Sequence, residues 1–105
     1  MEIKKKAKDL GLDENEFLEL VKIFLEVSIS DLNKLQSAFI KKDVKQVVEA
    51  AHSIKGAASN LEFQDIYEIA KGIEKNALKN KLKGIEKAIQ LIREKLNLIA
   101  KELAI

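Results

Sequence analysis

The segment from Ala50 to Phe63 reads Ala-Ala-His-Ser-Ile-Lys-Gly-Ala-Ala-Ser-Asn-Leu-Glu-Phe and holds the only histidine of the chain, His52. It is the one stretch where side-chain chemistry could reside. Placed on a helix at about 100° per residue, its apolar stripe centres near Ala51, and His52 points about 100° away from that centre. Ser59 falls beside His52, two turns on. Lys55 lies one turn on, near the edge of the stripe, where its stem can rest on apolar neighbours while the ammonium reaches out. Gly56 lies next to His52 on the outward side. The imidazole is therefore expected on a flank, with a cation above it and bare backbone beside it.

Glycine inside a helix costs roughly 1 kcal/mol against alanine, and something should offset that cost. One reading is that another molecule must come close to the His52 ring, which a side chain at 56 would block. The other is close packing against a neighbouring helix; the outward angle of Gly56 argues against it. Lys55 disfavours the charged imidazolium and so keeps the ring neutral and nucleophilic. It would also neutralise an anionic group placed on the ring.

These residues need elements to position them, and the apolar periodicity supplies four helices. The first starts at Asp13, which with Glu16 has the spacing of a capping box, and Leu12 can staple onto Phe17. Its stripe is Phe17, Leu20, Val21, Phe24, Leu25, Leu32, Leu35 and Phe39. Ser28 and Ser30 sit mid-stretch, so either one helix or two segments is compatible with the pattern. Lys41-Lys42-Asp43 is the first break, and Asp43 can cap the second helix. That helix shows Val44, Val47, Val48, Ala51, Ile54, Ala58 and Leu61 on one face. A second break covers Asn60 to Gln64. Asp65 suits the first turn of the third helix, whose stripe is Ile66, Ile69, Ala70, Ile73 and Ala77. The third break runs from Asn76 to Lys83, with Asn80 as the stop. The last helix repeats as Ile85, Ile89, Ile92, Leu96, Ile99 and Leu103. The expected fold is all-α, a single-domain antiparallel up-down four-helix bundle over residues 1–105, with room for a short N-terminal extension or helix. The spacing of the last helix also fits a coiled-coil dimer, but without complementary flanking charges core packing is the better use of it.

Composition narrows the functions. The 105 residues contain no cysteine, no proline and no tryptophan. Missing cysteine excludes disulfides, thiolate catalysis and cysteine-ligated metal. Missing proline, in a chain dominated by Leu, Ile, Ala, Lys and Glu, points to helix throughout. Nineteen basic against seventeen acidic residues leave +2, too balanced to imply nucleic acid. Lys4, Lys5, Lys6 and Lys8 precede no apolar run, so no secretory signal is expected, and no run approaches the ~18 residues of a membrane span. The expected location is the cytoplasm.

His52-Ser53-Ile54-Lys55-Gly56-Ala57-Ala58-Ser59-Asn60-Leu61 resembles the signature of histidine phosphotransfer (HPt) domains, small helical bundles that relay phosphoryl groups in two-component signalling. The resemblance covers nearly the whole chain. The Phe17-to-Phe39 stripe looks like the family's opening helix, Val47 to Leu61 its site helix, and Ile69-Ala70-Lys71-Gly72-Ile73-Glu74 the helix that follows. The resemblance implies that His52 accepts a phosphoryl group on Nε2 from an aspartyl phosphate of one receiver domain and passes it to another. Lys55 would stabilise the transferred charge, and Gly56 would leave room for the receiver. Glu74 matches a glutamate in the phosphoacceptor domain of chemotaxis histidine kinases, placed to accept the imidazole Nδ1–H; a solvated helix-face glutamate is the equal alternative. The partner receiver would supply Mg²⁺, so this chain needs no cofactor and no ATP site of its own. It would act as a carrier, a monomer whose partners are response-regulator receivers or a sensor histidine kinase. The family usually has glycine where this chain has Glu62. Either Asn60 takes the positive-φ role or the turn is built differently.

Receiver docking would use Gly56, Ser59 and Lys55, with Lys45, Glu49 and Phe63 as rim or anchor residues, although an aromatic beside a helix end suits the core slightly better. Three rivals share much of this pattern. Glu49 and His52 form the Glu-x-x-His unit of di-iron bundles, but such sites need two units and inward-facing carboxylates, and Glu49 falls on the outer face. A plain helical interaction module would keep the fold and lose the phosphoryl chemistry. The phosphoacceptor domain of a histidine kinase would differ in taking its phosphoryl group from ATP through a kinase domain.

Overall fold

Asp13 opens the longest helix with a reciprocal cap. Its carboxylate accepts the Glu16 N–H at 2.8 Å, and the Glu16 carboxylate accepts the Asp13 N–H at 3.2 Å. The structure, a computed structural model, describes residues 2–104. Its helices are α1 (Ile3–Asp9), α2 (Glu14–Ile40), α3 (Val44–Asn60), α4 (Gln64–Leu78) and α5 (Ile85–Leu103), and there is no strand among the described residues. The 27 residues of α2 form one uninterrupted helix, so Ser28 and Ser30 do not divide it. At 1.5 Å per residue it is about 40 Å long, which matches the 42 Å long axis of the molecule.

Four helices close a ring: α2 packs on α3, α3 on α4, α4 on α5 and α5 back on α2, while α1 lies against α2. The expected antiparallel bundle is present, and the N-terminal extension is the short helix α1. The core is built from Phe17, Val21, Leu32 and Leu35 of α2, Val47, Ala51, Ile54 and Ala58 of α3, Ile66, Ala70, Ile73 and Ala77 of α4, and Ile85, Ile92 and Leu96 of α5. The isoleucine repeat of α5 is thus consumed inside the bundle. Burying each such side chain contributes roughly 1.5–3 kcal/mol. Leu20 departs from the expected stripe: it is 40% exposed, and Ser28 is fully buried in the α2 core face, its Oγ without a hydrogen-bond partner. No helix of the described residues is long and apolar enough to cross a membrane.

The turns share one device. Each of α1, α2, α3 and α4 ends with a left-handed residue just past its cap: Gly11, Lys42, Glu62 and Asn80. The residue after it returns its N–H to the last turn, Leu12 to Ala7, Asp43 to Ala38, Phe63 to Ala58 and Lys81 to Asn76, all between 2.8 and 2.9 Å. These are Schellman closures. Asn80 stops its helix as expected, although α4 continues through Asn76 to Leu78. The residue after Lys42 is Asp43, whose carboxylate accepts the Gln46 N–H and starts α3. The α3–α4 turn resolves the alternative left by the sequence: Glu62 itself, at φ 57°, adopts the conformation glycine would favour, and Asn60 stays helical.

Candidate functional site

Small residues set the spacing between the helices that build the site. Ala51 and Ala58 on α3 and Ala70 and Ala77 on α4 are all completely buried. Helix axes approach more closely where the contact side chains are small. Glu74 follows Ile73 on α4 at the edge of this seam, opposite the turn of α3 that carries His52 and Lys55. Its Oε2 lies 2.8 Å from His52 Nδ1 and its Oε1 lies 2.6 Å from Lys55 Nζ. One carboxylate therefore holds both groups, one on each oxygen.

Exposure differs sharply within the trio. The His52 side chain is 67% exposed, while Lys55 is 24% and Glu74 14% exposed. Burial alone would raise the Glu74 carboxyl. The hydrogen bonds from Lys55 and His52, with their charge, outweigh it and hold the group below its ordinary value. Glu74 is thus ionised at neutral pH and can only accept. In the neutral ring the proton sits on Nδ1, donated to Glu74, and the lone pair of Nε2 is left free. The arrangement presents a nucleophilic nitrogen on an exposed ring, with an ammonium one turn away. Beside it a Cβ built on Gly56 would meet nothing within 4 Å. Packing within this chain is therefore not the reason for that glycine.

A sequence model of the Hpt domain matches residues 19–102. The chain belongs to the Hpt domain family. No curated protein and no solved structure matches it. Its role is that of an Hpt domain, phosphotransfer in two-component signalling. The match begins within α2, so α1 lies outside it.

Within this Hpt domain the structure brings together three of the predicted side chains, His52, Lys55 and Glu74, with Gly56 adjoining them. Lys45, Glu49 and Ser59 are exposed on the same outer face of α3, none of them hydrogen-bonded to the trio. Phe63 takes the core place the sequence slightly favoured, not the docking rim: it is 5% exposed, its ring centroid 4.9 Å from that of Phe24 and 4.8 Å from the Lys6 ammonium. Lys6 also donates to the Glu62 carbonyl at 3.0 Å, tying α1 to the α3–α4 turn. Glu49 is exposed, where a di-iron bundle would need it turned inward.

Two features of the site were missed in the sequence. Ser53, next to His52, donates to the Asp31 carboxylate and links α3 to α2. On the same flank, Leu20, Ile23 and Val27 of α2 are 40%, 55% and 44% exposed, and they line a shallow apolar groove with Phe24, Ala57, Asn60 and Leu61. The signal was available. Ile23 and Val27 are large apolar residues that fall outside the α2 core stripe, and a contiguous exposed apolar strip is unusual for a surface with no partner.

Proposed function

We propose that His52 is the phosphoacceptor of a phosphorelay, receiving from an aspartyl phosphate of one receiver domain and donating to the aspartate of another. The observation that carries this reading is the 2.8 Å contact of His52 Nδ1 with Glu74, which directs the ring's lone pair outward on Nε2. In the accepting step the Nε2 lone pair forms the new bond to phosphorus. The P–O bond to the receiver aspartate breaks, and its electrons leave with the carboxylate. The Nδ1–H stays in its hydrogen bond to Glu74 throughout. The receiver supplies Mg²⁺; this chain binds no cofactor, holds no ATP site and works as a cytoplasmic monomer. Its contribution is positioning and charge, which dominate phosphoryl transfer.

The receiver docks across the outer face of α3 and the flanking ridge of α2. Gly56 gives it access to the ring, and Leu20, Ile23, Val27 and Ala57 offer it an apolar footing. Lys45, Glu49 and Ser59 form the polar rim. A second reading, the phosphoacceptor domain of a chemotaxis-type kinase, draws support from Glu74, whose pairing with the histidine resembles that class. It changes the donor and not the site.

The test is transfer of radiolabelled phosphoryl from a phosphorylated receiver. The expected product is acid-labile and base-stable, and it is absent in His52→Gln, which keeps the same helical circular dichroism. Label that survives the substitution overturns the reading. Label that appears only with a histidine kinase and ATP selects the second one.

A further inference from the structure

The resting structure places the Lys55 ammonium against Glu74, 2.6 Å from Oε1. In that position its charge is already answered: one carboxylate and one ammonium sum to zero around a neutral ring. A phosphoryl group on Nε2 adds about −1.5 to −2 charges at the same place. Were Lys55 to stay where it is, the imidazolium formed on the ring would answer only about one of those charges, and the rest would sit uncompensated beside an anionic Glu74.

The geometry points to an exchange of partners: when His52 is phosphorylated, Lys55 leaves Glu74 for a phosphoryl oxygen, and Glu74 keeps the ring Nδ1–H alone. This rests on the reading that His52 carries the phosphoryl group. Three observations support it. Lys55 is three residues after His52, so the two side chains are neighbours on one helix face about 5–6 Å apart at Cβ. Its stem has four rotatable carbons and the side chain is a quarter exposed, so the ammonium can move without unpacking the core. Glu74 does not lose its counter-charge in the exchange. A ring that keeps Nδ1–H and gains phosphorus on Nε2 is an imidazolium, and it stands at Oε2 where the neutral ring stood. The phosphoryl oxygens carry more negative charge than a carboxylate, and the imidazolium offsets part of both, so at equal distance the ammonium is drawn more strongly to the phosphoryl oxygens.

The consequence is a carrier whose cation is reserved in advance. Part of the attraction of Lys55 for the phosphoryl group is spent in parting it from Glu74. The phosphorylated state is held less tightly than a free lysine would hold it, and onward transfer is correspondingly easier.

Phosphoramidate loads the ring without any protein partner: ammonia leaves with the electrons of the broken P–N bond as Nε2 forms the new one. The experiment treats protein carrying ¹⁵N-lysine and ¹³C-glutamate with this donor at mildly alkaline pH, where phosphohistidine persists. The scalar coupling across the Lys55 Nζ–Glu74 Cδ hydrogen bond is then recorded. The coupling is expected in the resting protein, lost on phosphorylation, and retained in treated His52→Gln. Survival of the coupling in the phosphorylated protein overturns the exchange, as does its loss in treated His52→Gln. A second readout is the share of His52 phosphorylated at a fixed phosphoramidate concentration. Glu74→Gln, which frees Lys55, is expected to raise the phosphorylated-to-free ratio several-fold when Lys55 is present and not in the Lys55→Ala background; an equal effect in both backgrounds overturns the exchange. Receivers take no part in either measurement. A failed receiver assay therefore leaves this result standing, and a failed exchange leaves the relay standing.

Discussion

His52 and Glu74 stand 22 positions apart in sequence and 2.8 Å apart in space, joined through Nδ1 and Oε2. The seam of buried alanines between α3 and α4 creates this proximity, and it decides which ring nitrogen is available for chemistry. Glu74→Ala is expected to release the tautomer and slow phosphoryl transfer roughly tenfold, by analogy with the 10–100-fold loss when the carboxylate that orients a metal-bound imidazole is removed. Nitrogen NMR of the ring reads the tautomer directly, and an unchanged Nδ1–H form in the variant would count against the assignment.

Gly56→Leu separates stability from access. Leucine restores helix propensity, so the protein is expected to gain about 0.7–1 kcal/mol. A Cβ at 56 meets no neighbouring side chain or element within 4 Å, so the added side chain starts toward open space. Transfer from a receiver is expected to fall steeply even as the melting temperature rises. Normal transfer by the stabilised variant would leave the glycine without its reason.

Ile23→Asp tests the apolar ridge of α2. Ile23 is 55% exposed, so stability should move by no more than about 0.5 kcal/mol. Receiver affinity, measured by titration calorimetry, is expected to drop roughly tenfold or more, as for an apolar anchor of an interface. Phosphorylation by phosphoramidate, which needs no docking, should be unaffected.

Ser28→Ala is expected to stabilise the bundle by about 1 kcal/mol in chemical denaturation. Its buried hydroxyl lacks a partner, and alanine removes that desolvation cost while improving helix propensity.

Acid should destabilise this protein through three carboxylates held below their ordinary values. Asp13 is lowered by the Glu16 N–H and side chain. In Asp65 and Glu74 burial acts upward and is outweighed by the partners, Lys95 for the first and Lys55 and His52 for the second. A lowered folded value means stability that is complete above the unfolded value and lost as pH falls toward the folded one. Melting temperatures are therefore expected to hold from neutral down to about pH 5 and to decline below about pH 4.5. The decline should be shallower in Glu74→Gln.

Much of this architecture was legible in the residues. The Asp13–Glu16 cap, the Asp43 cap, the Asn80 stop and the apolar face of every major helix follow from local chemistry and a 3.6-residue period. Ser28 lies at the centre of the α2 stripe, at nearly the same angle as Phe17 and Leu35, so its burial was readable from the period alone, whereas Leu20 lies at the stripe's edge. Whether a residue at the edge is covered depends on the neighbouring helix and not on α2 itself. The outward aspect of His52 and Gly56 follows from angle alone. The pairing of Glu74 with both His52 and Lys55 does not, because it needs the register of α4 against α3; resemblance pointed only to the His52 contact, and the Lys55 contact was unforeseen. The left-handed Glu62 lay beyond propensity for a similar reason: Phe63 must enter the core beside Phe24, and the backbone at 62 bends to deliver it.

The ring of helices is closed by α5 against α2 and α4, on the side away from α3. All of the trio's atoms are furnished by the chain before Lys79, and the six residues that lead to α5 form the longest connection between described helices. A break in the peptide there would yield one piece carrying the entire reactive constellation and another carrying only the wall that completes it. Mixed together, the two pieces are expected to show more helical circular dichroism than the sum of their separate spectra, because the buried faces of α2 and α4 are completed only when α5 docks.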